Sequence, residues 1–261
     1  MFYWVVILLI TANSLALVGL YLVTRRMLKL RRQHKRSYTF KPYPIPKVKL
    51  NSVDPCFAAG PFGAVSESTV LFIGGEGVEA SLSDRETWVV AALAKFSNRI
   101  FEFGTCSGKT THVMALNAPA KALVYTITIH PEETEQLSFS KDDDYRHRER
   151  AAVEAKFDKF YYQGLETEKK IRQIFSDSKS FDETGLKESI DLVFIDGAHT
   201  RSYVESDSQK AFSMLTKSGV ILWHDYKPDA PDVFEYLNEL ANELKLVHIE
   251  NTDLVMYRRE S

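Results

Sequence analysis

Two apolar segments of the sequence end in residues that suit cation binding or proton transfer. The segment Ile190–Ile195, IDLVFI, is followed by Asp196 and, three residues later, by His199. The segment Gly219–Trp223, GVILW, is followed after one residue by Asp225. Carboxylate oxygens bind hard cations, and a neutral imidazole can accept a hydroxyl proton near neutral pH. If the segments are neighbouring strands, Asp196 and Asp225 could meet one cation.

A second motif is the glycine turn FEFGTCSGKT at residues 101–110. It is similar to a phosphate-binding P-loop, G-x-x-x-x-G-K-[ST], but the stretch from Gly104 to Thr110 is one residue shorter. The shorter loop leaves less room for the backbone N–H groups that surround a phosphate. Glu102 would face a triphosphate unfavourably and suits a ligand that carries a positive charge. A nucleotide hydrolase nevertheless stays open as an alternative.

The elements around these motifs predict an α/β fold. From about residue 80, short apolar runs alternate with helical patterns, which is typical of a parallel sheet covered by helices. Ser83 and Glu86 form a capping box at the start of the first helix. The strands are predicted at 99–103, 123–129, 159–163, 190–195, 219–223, 246–249 and 254–257, and helices at 148–157, 203–215 and 232–244.

The end of the chain predicts a hairpin. Its last two strands are separated only by ENTD, a connection too short for a parallel crossover. We therefore expect a doubly wound, Rossmann-like, mostly parallel seven-stranded sheet with a terminal antiparallel hairpin. The polar residues 130–159 are predicted to form an insertion or lid. Ligands of such sheets bind beyond the carboxyl ends of the strands.

The motifs together resemble a known family. The pattern hydrophobic-Glu-hydrophobic-Gly-x-x-x-Gly resembles the first motif of the class I S-adenosylmethionine-dependent methyltransferases, and FEFGTCSGKTTHVMA is similar to the catechol O-methyltransferase branch. The blocks IDLVFIDGAH and GVILWHDY are similar to related small-molecule and sugar O-methyltransferases. The resemblance covers about Ser81 to Arg258 and includes the terminal hairpin.

The resemblance implies S-adenosylmethionine as cofactor and assigns roles to individual residues. It places the catalytic base at His199, with Asp196 beside it. It implies a magnesium or other divalent cation at Asp196 and Asp225. The residues that it implies for cofactor binding are Glu102, Gly104, Thr105, Ser107, Gly108, Thr128 and Asp196.

The sequence departs from the family at two positions. Tyr226 stands where the branch has an Asn that helps to hold magnesium. The second strand ends in YTITIH, so Thr128 or His130 stands where the family has an acid that binds the ribose. Losing one charged hydrogen bond would weaken binding by about 1 to 3 kcal/mol unless Glu132 or Glu133 replaces it. Two alternatives therefore stay open: a metal-independent enzyme and an inactive methyltransferase-like interaction protein. Asp196 and Asp225 could also each have a purely structural role.

Composition excludes some other classes of function. The net charge of -2 gives no overall basic bias, so nucleic-acid binding is not expected. The two cysteines, Cys56 and Cys106, lie far apart and in no zinc-type spacing. The 44% hydrophobic residues are ordinary for a globular protein.

The amino-terminal part of the sequence predicts a membrane anchor. Residues 2–23 carry no charge and are long enough to span a bilayer. The basic residues of 25–36 follow at once, which predicts a cytoplasmic flank near anionic lipid headgroups. We thus predict an anchor at 1–24, a basic and Pro-rich linker at 25–50, a lead-in segment at 51–80 and the enzyme domain at 81–261.

Taken together, the sequence predicts a single-pass membrane protein with its catalytic domain on the cytoplasmic side. Its predicted activity is S-adenosylmethionine-dependent O-methyl transfer. The acceptor is expected to be a hydroxyl of a small molecule, a sugar or a lipid-linked glycan. The sequence leaves the oligomeric state open.

Overall fold

The computed structural model describes residues 3, 16–28, 43–74, 78 and 82–259. The chain divides into two compact units, Met1–Pro42 and Tyr43–Ser261. In the first unit, residues 16–28 form a helix, α1. All of the elements described below belong to the second unit.

The structure does not support the predicted membrane anchor. Most of the uncharged segment 2–23, and most of the basic residues after it, lie outside the described residues. Within the part of the chain that the structure describes, no helix has both the length and the apolar character that a membrane crossing requires. The prediction of a single-pass membrane protein with a cytoplasmic catalytic domain is therefore wrong.

The second unit alternates strands and helices. Its α-helices are α2 (Asp84–Ala94), α3 (Lys109–Asn117), α4 (Tyr145–Glu154), α5 (Arg201–Met214) and α6 (Pro231–Leu240). Its strands are β1 (Lys47–Val48), β2 (Ala59–Gly60), β3 (Gly63–Ala64), β4 (Arg99–Phe103), β5 (Leu123–Thr128), β6 (Ile171–Phe175), β7 (Ile190–Ile195), β8 (Leu215–Trp223), β9 (Val247–Ile249) and β10 (Val255–Arg258). Short 3-10 helices lie at Leu50–Ser52, Pro55–Phe57, Ser66–Ser68, Pro131–Gln136, Glu166–Lys170 and Thr184–Leu186.

The main sheet has the order β1-β9-β10-β8-β7-β4-β5-β6, and β2 pairs with β3 in a separate two-stranded sheet. Strands β4 to β8 run parallel, and β10 is antiparallel to both β8 and β9. The mostly parallel sheet and its terminal hairpin confirm the predicted fold class. The predicted number of seven strands is wrong, because β1 adds an eighth by pairing in parallel with β9.

The third strand of the core sheet lies elsewhere than predicted. Residues 159–163 form no strand, whereas β6 at Ile171–Phe175 pairs with β5. In residues 159–163 the apolar side chains of Phe160 and Tyr162 are buried. They pack beside Gly108 instead of extending the sheet.

Both faces of the central strands are buried. In β4, Ile100 packs into the apolar cluster that includes residues of α2 and α3, whereas Phe101 and Phe103 pack into the one that includes residues of α5 and α6. Parallel sheets of this kind read as nearly continuous apolar runs, which is how these strands could be recognised. Burying each large apolar side chain contributes about 1.5 to 3 kcal/mol.

The helix that leads into the sheet begins as predicted. The Ser83 hydroxyl accepts a hydrogen bond from the backbone N–H of Glu86, and Oε2 of Glu86 accepts one from the backbone N–H of Ser83 at 3.1 Å. Oε2 of Glu86 also lies 3.6 Å from Nε2 of His224, so the start of α2 lies beside the end of β8. The parallel arrangement of β4 to β8 places their carboxyl ends at one edge of the sheet, where the candidate site lies.

Candidate functional site

The glycine turn after β4 lies directly against the end of β7. Gly104 has φ +96°, and a Cβ at this position would lie 2.1 Å from the carbonyl oxygen of Asp196. The backbone N–H of Asp196 in turn donates to the carbonyl of Phe103 at 2.9 Å. A residue with a side chain cannot occupy position 104 without moving the backbone. Gly104 therefore fixes the turn beside Asp196.

The second glycine of the turn begins α3. Gly108 has φ +75°, and a Cβ there would lie 2.8 Å from Cβ of Phe160. The carbonyl of Ser107 accepts a hydrogen bond from the backbone N–H of Tyr161 at 2.9 Å. Residues 160 and 161 thus support the turn from outside.

Glu102 lies beneath the turn and is completely buried. Its Oε2 accepts hydrogen bonds from the hydroxyls of Thr111 and of Thr126, the latter at 2.6 Å, while Oε1 has no partner among the described residues. The Thr126 hydroxyl also pairs with that of Thr105 at 2.7 Å. Burial raises the pKa of Glu102 to about 8, although the two hydroxyls oppose this. The carboxyl is therefore mostly neutral at pH 7.

The structure brings Asp196, His199 and Asp225 together. Nε2 of His199 lies 2.7 Å from Oδ2 of Asp225 and 3.6 Å from Oδ1 of Asp196. One ligand atom from each residue lies within 4.8 Å of the others. Asp225 adopts a left-handed conformation with φ +59°, which is uncommon outside glycine and asparagine. Local backbone strain of this kind is often found at functional sites.

Charge dominates this cluster. Burial lowers the pKa of His199, but Asp196 and Asp225 outweigh it and raise the value to about 9. Burial raises the pKa of Asp225, but the His199 and His224 imidazoles and the Lys227 ammonium outweigh it and hold the value well below its usual range. At 2.7 Å, Nε2 of His199 and Oδ2 of Asp225 form a close ion pair.

Two further residues orient Asp196, and sequence reasoning assigned them no firm role. Nδ1 of His224 lies 3.0 Å from Oδ1 of Asp196, and Nε2 lies 3.6 Å from Oε2 of Glu86. His224 has a raised pKa because Asp196 and Glu86 outweigh its burial. Burial raises the pKa of Glu86, but His224 and Ser83 outweigh it and lower the value to about 2. The position of His224 directly before Asp225 is the signal that could have found it.

A cleft lies beyond the carboxyl ends of β4 to β7. The predicted residues Gly104, Thr128 and Asp196 contribute to its walls. The full set of lining residues is Gly104, Cys106, Ile127, Thr128, Ile129, Leu137, Ala151, Glu154, Ala155, Ser176, Asp177, Ser178, Asp196, Gly197, Ala198, Tyr203 and Asp207.

The other predicted site residues lie around the cleft and not in its described walls. Glu102, Thr105, Ser107 and Gly108 build and support the turn. His199 and Asp225 are buried beside Asp196, which belongs to both the cleft and the charged cluster. Asp196 is thus the residue that joins the two parts of the site.

The wall of the cleft is acidic. Four of its described residues are acidic, namely Glu154, Asp177, Asp196 and Asp207. None of the described lining residues is Lys, Arg or His. Lys109 is buried and faces Leu82, Thr87 and Val90 of the α2 region. A phosphate in this cleft would meet carboxylates and no cation, which counts against the nucleotide hydrolase.

Sequence comparison confirms the family resemblance. A family model described as "Methyltransferase domain" matches residues 101–226. This range contains the glycine turn, Asp196, His199 and Asp225. No curated protein matches the chain.

Several solved structures share a distant likeness with the chain. An O-methyltransferase of Streptomyces achromogenes involved in tomaymycin synthesis, in complex with S-adenosylmethionine, is 15% identical with a TM-score of 0.45 over 69% of this chain and 81% of that one. A methyltransferase of Podospora anserina with bound S-adenosylhomocysteine is 16% identical with a TM-score of 0.47 over 69% and 80%. An O-methyltransferase of Bacillus cereus, also with S-adenosylhomocysteine, is 15% identical with a TM-score of 0.44 over 68% and 81%.

Proposed function

We propose that the chain, whose residues 101–226 match a methyltransferase family model, transfers the methyl group of S-adenosylmethionine to a hydroxyl oxygen of a small-molecule or sugar acceptor. The observation that carries the proposal is the acidic cleft beneath the glycine turn. Its walls offer four carboxyl groups and, among the described residues, no cationic side chain. S-adenosylmethionine carries a sulfonium and an ammonium group, so this cleft suits its charge.

The cleft gives each part of the turn a role in binding. At Gly104 the backbone can approach the cofactor closely because no Cβ intervenes. Thr128 at the end of β5 offers a hydroxyl to the same space. Glu102 contributes through the Thr126 and Thr105 hydroxyls, which hold the turn in place.

The reaction needs an oxygen nucleophile in line with the sulfonium methyl group. The acceptor oxygen forms a bond to the methyl carbon while the carbon–sulfur bond breaks, and its proton leaves. His199 is the candidate base for that proton, because Nε2 of its imidazole lies 3.6 Å from Oδ1 of Asp196, the residue that belongs to both the cleft and the charged cluster. In the structure Asp196 and Asp225 favour the protonated imidazole, so the base must lose that proton before it acts.

The residues present also fit a divalent cation. Two carboxylates and an imidazole offer ligand atoms within 4.8 Å of one another, and the buried Nε2 of His199 has no well-aligned hydrogen bond to any of the described residues. Asp196 and Asp225 would hold the ion. Bound there, a cation would offset the two negative charges and make an acceptor hydroxyl easier to ionise. Tyr226 lies where the family has its third ligand, so Asp196 and Asp225 would hold the ion without that ligand.

Binding and transfer can be tested separately. Isothermal titration calorimetry with S-adenosylmethionine and S-adenosylhomocysteine measures binding to the full chain, and transfer of a tritiated methyl group to catechol, simple phenols and sugars measures activity. Binding of both ligands together with labelled product is expected. Absence of binding would contradict the proposal. Binding without transfer to any hydroxyl compound would favour the inactive interaction protein.

A further inference from the structure

Two carboxyl groups in the wall of the cleft have an oxygen without a hydrogen-bond partner. Asp207 of α5 is 1% exposed, and its Oδ1 has no partner among the described residues. Asp177, which follows β6, accepts a hydrogen bond from the backbone N–H of Lys179 at 3.0 Å through Oδ1, whereas Oδ2 has no partner in the part of the chain that the structure describes. Buried polar atoms are nearly always paired, so these two need an explanation.

The surroundings of Asp207 do not favour a buried charge. Burial raises the pKa of Asp207 to about 7, and the charge of Asp177 adds to this. Ser178, Lys210 and Lys179 oppose the shift and do not reverse it. A buried carboxyl with an open oxygen lowers the stability of the folded protein, and a ligand with a hydrogen-bond donor would offset this loss.

Asp177 and Asp207 lie in the same cleft wall as Thr128, which stands where the family has an acid. The end of β5 offers Thr128 to the cleft instead of an acid. Glu132 and Glu133 are exposed, and neither is among the described residues of the cleft wall. Asp177 and Asp207 both contribute to the wall.

The neighbours of the pair indicate which part of a ligand it meets. Tyr203 lies one helical turn before Asp207, and its hydroxyl accepts a hydrogen bond from the backbone N–H of Ser138 at 2.9 Å. Leu137 and Ile129 belong to the same wall. An aromatic ring and aliphatic side chains beside an acid suit a nucleoside with its neutral donors better than a fully charged ammonium group.

We propose that Asp207, with Asp177 beside it, binds a hydrogen-bond donor of the nucleoside half of the cofactor and so replaces the acid that is missing at the end of β5. The inference rests on the proposed function, since it presumes that the cleft binds S-adenosylmethionine. The donor is either the exocyclic amine of the adenine or a ribose hydroxyl. Both carry N–H or O–H groups that an acid oxygen can accept.

Calorimetry with S-adenosylhomocysteine and its analogues tests the proposal. Asp207→Asn should weaken S-adenosylhomocysteine binding about 10-fold, which corresponds to the loss of one hydrogen bond. If the partner is the amine, the same variant should change the affinity for S-inosylhomocysteine less than about 3-fold. If it is a ribose hydroxyl, the small effect should appear with the 2′-deoxy or 3′-deoxy analogue instead. Asp177→Asn provides a second variant should Asp207→Asn fold poorly, and the exposed Glu132→Gln is the matched control.

The possible results separate the inference from the proposed function. Wild-type protein that binds no S-adenosylhomocysteine would overturn both. Wild-type binding that is unchanged in Asp207→Asn and Asp177→Asn would overturn the inference alone. The same loss of affinity for all analogues would also overturn it, because no single donor would then account for the effect.

Discussion

Nε2 of His199 lies 2.7 Å from Oδ2 of Asp225, so the candidate base is paired with a carboxylate from the neighbouring strand end. Both groups are almost fully buried. The pair joins the end of β7 to the end of β8 and leaves Asp196 between the cleft and His224. Changing either partner should therefore affect the chemistry of the site more than the binding of the cofactor.

Asp225→Asn tests this pair. Removing the negative charge leaves His199 without its nearest ion-pair partner, and breaking a buried pair typically costs about 3 to 5 kcal/mol of stability. We expect methyl transfer to fall by about 100-fold or more, while S-adenosylhomocysteine still binds with a dissociation constant within a few-fold of the wild type. Steady-state kinetics and calorimetry measure the two effects. Asp229→Asn changes an exposed acid of the same loop and should leave both values unchanged; equal losses in the two variants would argue against a special role for Asp225.

Gly104→Ala tests the contact between the glycine turn and β7. A Cβ at position 104 would lie 2.1 Å from the Asp196 carbonyl oxygen, so the turn must move away from Asp196. We expect a clear fall in the melting temperature and the loss of measurable S-adenosylhomocysteine binding. Gly185→Ala is the control, because a Cβ there meets nothing within 4 Å. A Gly104→Ala variant with normal affinity would show that binding does not need the close contact between the turn and Asp196.

Glu102→Gln tests the buried carboxyl beneath the turn. The pKa of Glu102 is raised by burial to about 8 in the folded protein, above its unfolded value of about 4.3. Between these values the folded state binds more protons than the unfolded state, so this group makes the protein less stable as pH rises. The difference in free energy of unfolding between the variant and the wild type should shift in favour of the variant by up to about 1.4 kcal/mol per pH unit within this window.

Urea unfolding at several pH values between 5 and 8 measures that difference. Glu132→Gln, an exposed change, should show a flat difference over the same range. A flat difference for Glu102→Gln as well would mean that the carboxyl is ionised throughout.

Removal of divalent cations tests the metal part of the proposed function. If a cation assists at Asp196 and Asp225, EDTA should lower the rate of methyl transfer, and added Mg²⁺ or Mn²⁺ should restore it. Mn²⁺ binding followed by electron paramagnetic resonance should be lost in Asp196→Asn and retained in Asp229→Asn. Activity that EDTA leaves unchanged would remove the cation from the mechanism.

Sequence reasoning located the strands whose side chains are buried on both faces and missed elements without such a pattern. The strands at 99–103 and 190–195 lie where the apolar runs predicted them. Strand β6 is an edge strand with the mixed sequence IRQIF, so its residues carry a weaker apolar signal than those of 159–163. Strand β1 has two residues and pairs with a segment about 200 residues away, which no local pattern can reveal.

The same limit applies to the site. Asp196, His199 and Asp225 could be recognised because each lies just beyond a strand, where open α/β sheets hold their ligands. Asp207 lies within α5, on the same buried face as Tyr203, Val204 and Ala211. This helical spacing is the only sign of its burial in the sequence. Its open oxygen depends on contacts among separate elements. Such contacts require the three-dimensional structure.

Strand β1 has a practical consequence for any shortened form of the protein. Pro46 and Val48 accept hydrogen bonds from the backbone N–H groups of His248 and Glu250, and Ile45 is completely buried. A fragment that begins at residue 81 would uncover the outer edge of β9 and a patch of apolar surface. Exposed strand edges pair with other chains and aggregate. A fragment that begins at Tyr43 keeps this edge protected.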